Sequence, residues 1–400
     1  MKQHDDKLKK LCKNVIKHFG DFIKEIEGDE SIEITNKCHQ SEGKDSFNVV
    51  IPLDLKPLKD LITVPSPSGF ETHCQKIFRK YLEDIGGTSY YADHIGNISY
   101  SFGNGSTKIL LSAHIDELGL QVLDIEKSGL LVVNNLGGID RKAITAGEVL
   151  VEKYGSNEWV RGVLGKKPIH AETHSERNGE VQDIHELRVD LGLNSREEVE
   201  ELGVRIGSTI VYNRNLDPTL LNINLGKNIC APGLDDKIGV FILMEVAKRL
   251  NKDRLKELDL EIIIASCVQE ELGLRGATVL AQNIKPEVSI DIDVTPSIDF
   301  GVKSEEFGNV EFGKGPVICL GPGCSRRITN LMDSLDIKNQ RVVNLPGGTN
   351  TDVLQLFGNC ETQLVSVPIR NLHTPTESCN LEDIENTIKL IVDIIESGKL

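Results

Sequence analysis

The feature of this sequence that most limits its fold is an α/β pattern that is interrupted once. Apolar runs of strand length alternate with helical patterns up to about residue 119, and the same alternation returns at about residue 228. This alternation predicts an α/β fold with a mixed central sheet flanked by helices. Residues 120–227 instead contain short β-rich pieces separated by glycine turns, which predict a small inserted β-barrel domain. We therefore expect residues 55–119 and 228–400 to share one sheet and to form one domain.

The first 54 residues are predicted to be an extension of this body. Within residues 4–28, apolar side chains recur every three or four positions among charged ones, which predicts an amphipathic helix. Residues 27–47 are polar, with few large apolar side chains, and predict a mobile linker. The helix is expected to pack on the body or to be a loosely tethered appendage, and the alternative is a role in binding a partner or controlling assembly.

Charge, cysteine content and hydropathy exclude several classes of protein. The formal net charge of -16 at pH 7 argues against nucleic acid or an anionic membrane as a partner, because both would repel an acidic surface. The nine cysteines are scattered and form no close pair, so neither a disulfide framework nor a thiolate zinc site is expected. The chain shows no apolar leader and no run of about 18 apolar residues, which predicts a cytoplasmic protein.

Three acidic motifs lie where predicted elements begin or end. Asp235 opens a helical pattern, the pair Glu270-Glu271 follows an apolar strand, and Asp293 ends another strand. Clustered carboxylates at the ends of elements are typical ligands of divalent cations, because each oxygen brings charge and the backbone fixes its direction. These motifs predict most of a metal site.

Two histidine motifs add nitrogen ligands. Residues 108–113 predict a buried central strand that ends at His114 and Asp116, and His373 lies in a later loop. Since the carboxyl ends of strands in α/β sheets line one crevice, we expect these groups to converge with the carboxylates. Five such ligands suffice for two ions that share one carboxylate, and the reaction implied is hydrolysis by an activated water.

Asp116 and the adjacent glutamates have further predicted roles. Asp116 follows His114 by two positions, which on a strand would put both side chains on one side and let the carboxylate hold the imidazole. Glu270 and Glu271 would point to opposite sides of an extended segment, so that one binds metal and the other acts as general base. Taken singly, each motif is more often a helix cap, a solvated acid pair or a hydrogen-bonded loop.

The order of these motifs resembles the M42 family of metallo-aminopeptidases, the TET-type enzymes, within the wider group of co-catalytic zinc peptidases. The resemblance extends from about residue 55 to the C-terminus. It rests on His373 and on residues 67–71, 114–119, 137–140, 167–170, 234–239, 269–277, 293–295, 313–316 and 346–349. The implied fold is the zinc-peptidase-like, phosphorylase/hydrolase-like α/β fold with its inserted barrel.

The resemblance implies a ligand set for two divalent ions. Asp235 would bridge them, Glu271 and His373 would complete one position, and His114 with Asp293 would complete the other. Zinc is the expected metal, with cobalt or manganese as the alternatives.

The resemblance also implies catalytic and assembly roles. Glu270 would act as the general base and later protonate the leaving amine, and Asp116 would orient His114. Substrates would be peptides with a free N-terminus. The inserted barrel would be a dimerisation domain, and the dimers would assemble into a hollow homo-oligomer, a dodecamer, unless the N-terminal extension alters it.

Three features depart from the family pattern. The Gly-Gly-Thr turn is followed by Asn350 and Thr351 rather than by the usual Asp-Ala, a change expected to bear on substrate contacts or assembly rather than on metal binding. Lys237 stands where the family more often has arginine, so the charge is kept without the planar fork. Residues 1–54 have no counterpart in the usual start of the family.

Two alternatives stay open at this level. A related metal-dependent deacylase or carboxypeptidase would need a cationic pocket for a substrate carboxylate, for which Arg275, Arg326 and Arg327 are candidates. A non-catalytic scaffold stabilised by metal would need no general base, whereas Glu270 is present. The sequence does not determine the preferred N-terminal residue.

Overall fold

The structure, a computed structural model, describes residues 53–172, 183–214, 228–343 and 348–400. The predicted amphipathic helix and polar linker of the N-terminal extension lie outside the described residues. Within the described residues, no helix combines the length and the apolar character that crossing a membrane requires.

The strands divide into one large sheet and one closed barrel. In chain order they are β1 (Thr88–Ala92), β2 (Ile98–Gly103), β3 (Thr107–His114), β4 (Gly119–Ile125), β5 (Leu131–Leu136), β6 (Glu148–Lys153), β7 (Glu158–Leu164), β8 (Arg188–Asp190), β9 (Thr209–Tyr212), β10 (Asn228–Cys230), β11 (Leu260–Cys267), β12 (Val288–Pro296), β13 (Val317–Leu320), β14 (Gln340–Val343), β15 (Glu361–Arg370) and β16 (Ser378–Asn380). The sheet has the order β1-β2-β11-β3-β12-β15-β13-β14, with β16 paired to β15 and β10 paired to β16. The barrel has the order β4-β5-β8-β7-β6-β9.

The helices of the body pack on both faces of the sheet. The α-helices are α1 (Lys56–Thr63), α2 (Thr72–Asp84), α3 (Arg141–Ile144), α4 (Arg196–Leu202), α5 (Leu234–Arg249), α6 (Lys252–Glu257), α7 (Arg275–Asn283), α8 (Ser304–Phe307), α9 (Arg326–Asp333), α10 (Asn350–Gly358) and α11 (Leu381–Glu396). Helix α5 is buried on nearly all sides, as its apolar composition dictates, and it packs against β3 and β12.

Four adjacent strands at the centre of the sheet run parallel, and this brings their carboxyl ends to one edge. Strand β3 lies between β11 and β12, and β15 follows β12. Residues 109–114 of β3 are all buried, so the predicted buried central strand is confirmed. Its last residue, His114, pairs in register with Cys267, the last residue of β11. Loops that follow these strands therefore meet at the same edge.

The barrel has a hydrophobic core of its own, separate from that of the sheet. Its interior is formed by alternating side chains such as Leu120, Val122, Val149 and Val151, all at most 2% exposed. The predicted fold class, a mixed α/β sheet with an inserted small β-barrel, is confirmed. The predicted domain boundaries at residues 120 and 227 stay predictions.

Candidate metal centre

The seven residues predicted for the site lie together at the carboxyl edge of the parallel strands. His114 ends β3 and Asp116 follows it, while Asp293 lies within β12. The remaining residues come from the start of α5, the turn after β11 and the loop after β15; these are Asp235, Glu270, Glu271 and His373. All are buried or half-buried. Segments that are far apart in the sequence thus meet in one cluster.

The carboxylate of Asp235 lies between the two histidines. Its Oδ1 is 3.1 Å from Nε2 of His114, and its Oδ2 is 3.2 Å from Nε2 of His373. The backbone of Asp235 is not helical, although the residue belongs to the first turn of α5, so its side chain is directed into the cluster rather than along the helix. An aspartate with one imidazole against each oxygen has the arrangement that a bridging ligand needs.

The potential ligand atoms form two overlapping groups around His114. One group joins His114 with Glu270 and Asp293, and the other joins it with Asp235 and Glu271; within each group the ligand atoms lie within 4.8 Å of one another. Nε2 of His373 lies 3.8 Å from Oε1 of Glu271, which is buried and has no hydrogen-bond partner among the described residues. A buried carboxylate oxygen without a partner is costly, and imidazole and carboxylate donors suit divalent cations. The residues therefore fit a pair of divalent ions.

The electrostatics of the cluster favour bound cations. Burial raises the pKa of Glu270 to about 9, and although His114 opposes this, the negative charge of Glu271 adds to it. Burial also raises the pKa of Glu271 and Asp293 well above the ordinary range. Burial alone would raise the pKa of Asp235 too, but hydrogen bonds with the two imidazoles hold it below its usual range. Positive charge among these carboxylates would relieve their mutual repulsion.

Asp116 lies against His114 through both its main chain and its carboxylate. Its main-chain oxygen lies 3.1 Å from Nδ1 of His114, whereas its carboxylate oxygen is 3.5 Å from the same atom. The carboxylate accepts hydrogen bonds from the backbone N–H groups of Glu270 and Glu271 and from the hydroxyl of Ser68. The strand ends at His114, so the alternation of side chains that was assumed for Asp116 does not continue to it. Asp116 thus holds both the imidazole and the turn that carries the two glutamates.

Glu270 and Glu271 lie in a turn rather than in an extended segment. The carbonyl of Glu270 accepts hydrogen bonds from the N–H groups of Gly273 and Leu274, and Gln269 has a φ of +54°. The argument from strand alternation therefore does not apply here. Both carboxylates nevertheless lie in the cluster, because the turn directly follows the carboxyl end of β11.

Further contacts at the site come from three residues to which the sequence analysis assigned no role. The buried carboxylate of Glu377 accepts hydrogen bonds from the backbone N–H groups of Asp235 and His373. The hydroxyl of Tyr212 donates to the main-chain oxygen of His373 at 2.9 Å, and Nδ1 of His373 lies 3.2 Å from the carbonyl oxygen of Gly138. Glu377 belongs to the same loop as His373, which could have drawn attention to it. Tyr212 and Gly138 lie in the barrel, and no local pattern indicates their contact.

A small, partly open cavity lies beside the cluster. Asp235, Glu271 and His373 form one side, and the remaining described lining residues are Glu117, Leu118, Tyr212, Gly233, Thr374 and Glu377. None of the three arginines considered for a cationic pocket is among these residues. Arg275 is exposed and contacts Gln269, while Arg327 on α9 binds Glu361.

Comparisons with known proteins cover almost all of the described body. The family model described as M42 glutamyl aminopeptidase matches residues 96–390. The lysyl aminopeptidase of Pyrococcus furiosus is 32% identical over 357 residues, which is 87% of this chain and 98% of that protein. A solved aminopeptidase structure from the archaeon Desulfurococcus kamchatkensis has a TM-score of 0.76 at 28% identity, and the match covers 86% of this chain and 94% of that one.

A second solved structure is the TET1 peptidase of Pyrococcus horikoshii, which can assemble into a tetrahedron or a large octahedral shell. It has a TM-score of 0.73 at 32% identity, and the match covers 84% of this chain and 98% of that one. The region matched by the family model begins before His114 and ends after His373. It therefore contains all seven residues of the cluster.

Proposed function

This chain belongs to the M42 peptidase family and is a hydrolase that acts on peptides, and on that premise we propose that it removes the N-terminal residue from peptides by means of two divalent metal ions and Glu270. The observation that carries this proposal is the position of Asp235. Each oxygen of its carboxylate lies against a different imidazole, at the centre of a buried cluster of further carboxylates.

Five side chains would hold the ions. Asp235 would be shared, Glu271 and His373 would complete one position, and His114 and Asp293 the other. Two divalent ions bound there would polarise the scissile carbonyl and lower the pKa of a water molecule. Zinc is the proposed metal, with cobalt or manganese as alternatives, since imidazole and carboxylate ligands suit all three.

Glu270 is the proposed general base. It would accept a proton from the attacking water and then donate that proton to the leaving amine, so that no net proton is consumed by the enzyme. Asp116 supports this role because its carboxylate binds the backbone N–H groups of Glu270 and Glu271 and fixes the turn. The same residue holds His114 through its main-chain oxygen.

The deacylase or carboxypeptidase alternative has little support. Its candidate arginines do not line the described part of the cavity, and the family match is to aminopeptidases. The scaffold alternative would leave Glu270 without a role, although Asp116, itself held by Ser68, anchors the turn that carries Glu270 at two backbone N–H groups.

Activity on matched substrates tests the proposal. The purified protein, freed of metal and then loaded with zinc, cobalt or manganese, should release amino acids from peptides with a free N-terminus. N-acetylated versions of the same peptides should not be cleaved. Equal cleavage of free and blocked peptides would contradict an aminopeptidase, and cleavage from the C-terminus would favour a carboxypeptidase. A panel of single amino acid amides would define the preferred N-terminal residue.

We further propose that the chain forms a homo-oligomer in which the barrel, residues 120–227, is the dimerisation domain and dimers build a dodecamer. The barrel carries large apolar side chains that are at least half exposed, at Leu123, Tyr154, Val163 and Ile206. Particle mass in solution tests this, and a monomer at micromolar concentration would contradict it. Deletion of residues 1–54 would show whether the N-terminal extension changes the assembly.

A further inference from the structure

His373 belongs to the loop after β15, but its imidazole is fixed by the barrel. Nδ1 lies 3.2 Å from the carbonyl oxygen of Gly138, in the loop that follows β5. A carbonyl oxygen can only accept, so Nδ1 must carry the proton. Nε2 is thereby left to face Oδ2 of Asp235. This is the usual way in which a protein sets the tautomer of a histidine that binds metal.

The backbone of His373 is fixed from the barrel as well. Tyr212, the last residue of β9, is only 5% exposed, and its hydroxyl donates to the main-chain oxygen of His373 at 2.9 Å. His373 has a φ of +64°, in the left-handed region that residues with a side chain adopt less readily. Glu377 holds the N–H of the same residue at 2.8 Å. The unusual backbone is therefore held at both of its polar groups.

The turn at Gly137 and Gly138 also lies against Glu271. Gly137 has a φ of +82°, and a Cβ atom there would lie 3.1 Å from Cβ of Glu271 and 2.5 Å from Cδ2 of Leu118. Only glycine combines this backbone with such a close approach. The 137–138 turn thus contacts Glu271 and His373, the two residues proposed to complete the same ion position.

The ion position proposed at His114 and Asp293 does not depend on the barrel in the same way, as far as the described contacts go. His114 ends β3 and Asp293 lies in β12, both in the central sheet. The imidazole of His114 is held by Asp116 and not by a barrel residue. The two positions are therefore built asymmetrically: one belongs to the sheet, and the other is shared between sheet and barrel.

We propose that the barrel completes one of the two metal positions, with Tyr212 and the 137–138 turn as positioning groups for His373 and Glu271. The inference rests on the proposed dinuclear site and adds that the two ions differ in what holds them. Loss of the Tyr212 hydroxyl weakens binding of the ion at Glu271 and His373. Binding of the ion at His114 and Asp293 is unchanged. The barrel is then part of the active site.

The test is a zinc titration of the metal-free full-length protein and of two tyrosine variants, followed by calorimetry. Tyr212→Phe keeps the ring and removes the hydroxyl. It should bind one zinc with unchanged affinity and the second about 10-fold to 100-fold more weakly, the range typical of such supporting contacts. The matched control is Tyr100→Phe, which removes the hydroxyl of a buried tyrosine on β2 that donates to Glu83 on α2 at 2.6 Å. It should bind both ions as the unaltered protein does.

A pair of glycine variants gives an independent check. Gly137→Ala should weaken binding of the same ion, whereas Gly165→Ala, elsewhere in the barrel, places its Cβ 3.5 Å from the carbonyl oxygen of Arg188, an ordinary contact. The latter should bind both ions normally. If circular dichroism shows that Gly137→Ala does not fold, the comparison of Tyr212→Phe with Tyr100→Phe tests the proposal by itself.

The outcomes separate the inference from the function on which it rests. If the unaltered protein binds fewer than two zinc ions, the proposed dinuclear site is wrong. If it binds two and Tyr212→Phe binds both with unaltered affinity, the inference is wrong and the dinuclear site stands. Equal weakening of both ions by Tyr212→Phe would also overturn the inference, because it predicts an asymmetric loss.

Discussion

Glu117 and Arg214 form an ion pair that is almost fully buried, with 2.5 Å between Oε2 and Nη2 and side chains 3% and 2% exposed. Glu117 lies just before the first barrel strand and Arg214 just after the last one. The other carboxylate oxygen of Glu117 accepts from Nζ of Lys237, and the guanidinium of Arg214 also donates to the carbonyl of Ile62. One carboxylate therefore joins both ends of the barrel to the body, next to the site.

Replacing Glu117 by glutamine should destabilise the protein strongly. The variant leaves two buried cations without their counter-charge, and breaking a buried pair in this way costs about 3–5 kcal/mol. Urea unfolding measures the free energy of unfolding directly. The control is Glu158→Gln, which breaks the exposed pair with Lys153 on the barrel and should leave the stability nearly unchanged. Equal stability of both variants would contradict the structural role of Glu117.

The same pair predicts how stability depends on pH. Burial alone would raise the pKa of Glu117, but Arg214 and Lys237 outweigh it and lower the pKa to about 2, from 4.5. The folded state therefore binds fewer protons than the unfolded state between these values. From the size of the shift, the Glu117 carboxylate contributes about 3 kcal/mol to the free energy of unfolding. This contribution is fully present above pH 4.5 and is lost as the pH falls toward 2. Unfolding curves between pH 6 and pH 2, as rough limits of the window, should show a drop that Glu117→Gln lacks.

The fold could be predicted largely because its signals are local. The apolar run before His114 and the alternation of strands and helices on either side of the barrel depend on neighbours in the sequence. The family resemblance drawn from the motifs is confirmed by the match over residues 96–390. Strand order in the sheet, where β11 lies between β2 and β3, depends on long-range pairing and was not predicted.

Several contacts around the site could not be predicted from local sequence patterns. Asp116 was placed by strand alternation, but the strand stops at His114, and the main-chain oxygen of Asp116 approaches the imidazole as well as its carboxylate. Gly138 lies 235 positions from His373 in the sequence and Tyr212 lies 161 positions away. No periodicity links residues so far apart. The metal-ligand and catalytic roles of the seven predicted residues stay predictions, because the arrangement of side chains does not by itself distinguish a ligand from a base.

Glu270→Gln should separate these two roles. As a general base, Glu270 contributes about 100-fold to 10,000-fold to the rate, and the amide cannot replace it. We expect kcat to fall by that factor while the protein still binds two zinc ions. Glu271→Gln should instead lose one ion. Loss of an ion from Glu270→Gln would identify Glu270 as a ligand, since its carboxylate is grouped with His114 and Asp293.

Removal of metal should lower the thermal stability. The buried carboxylates of the cluster repel one another, and ligands that bind only the folded state stabilise it by about 2.7 kcal/mol at a concentration 100 times their dissociation constant. Treatment with a chelator should therefore lower the melting temperature, and zinc should restore it. A melting temperature that is the same with and without the chelator would contradict a metal site in this cluster.

Asparagine variants of two aspartates should lose different numbers of ions. Asp235 contacts both histidines, so Asp235→Asn should impair both positions, because the amide keeps the shape but removes the charge that the ions share. Among the described residues Asp293 is grouped with His114 and Glu270, so Asp293→Asn should lose one ion and keep the other. Asp291→Asn is the control, since that carboxylate lies in the same strand and accepts from the hydroxyl of Ser112. Metal content after dialysis distinguishes the three variants, and two retained ions in Asp235→Asn would rule out a bridging role for this residue.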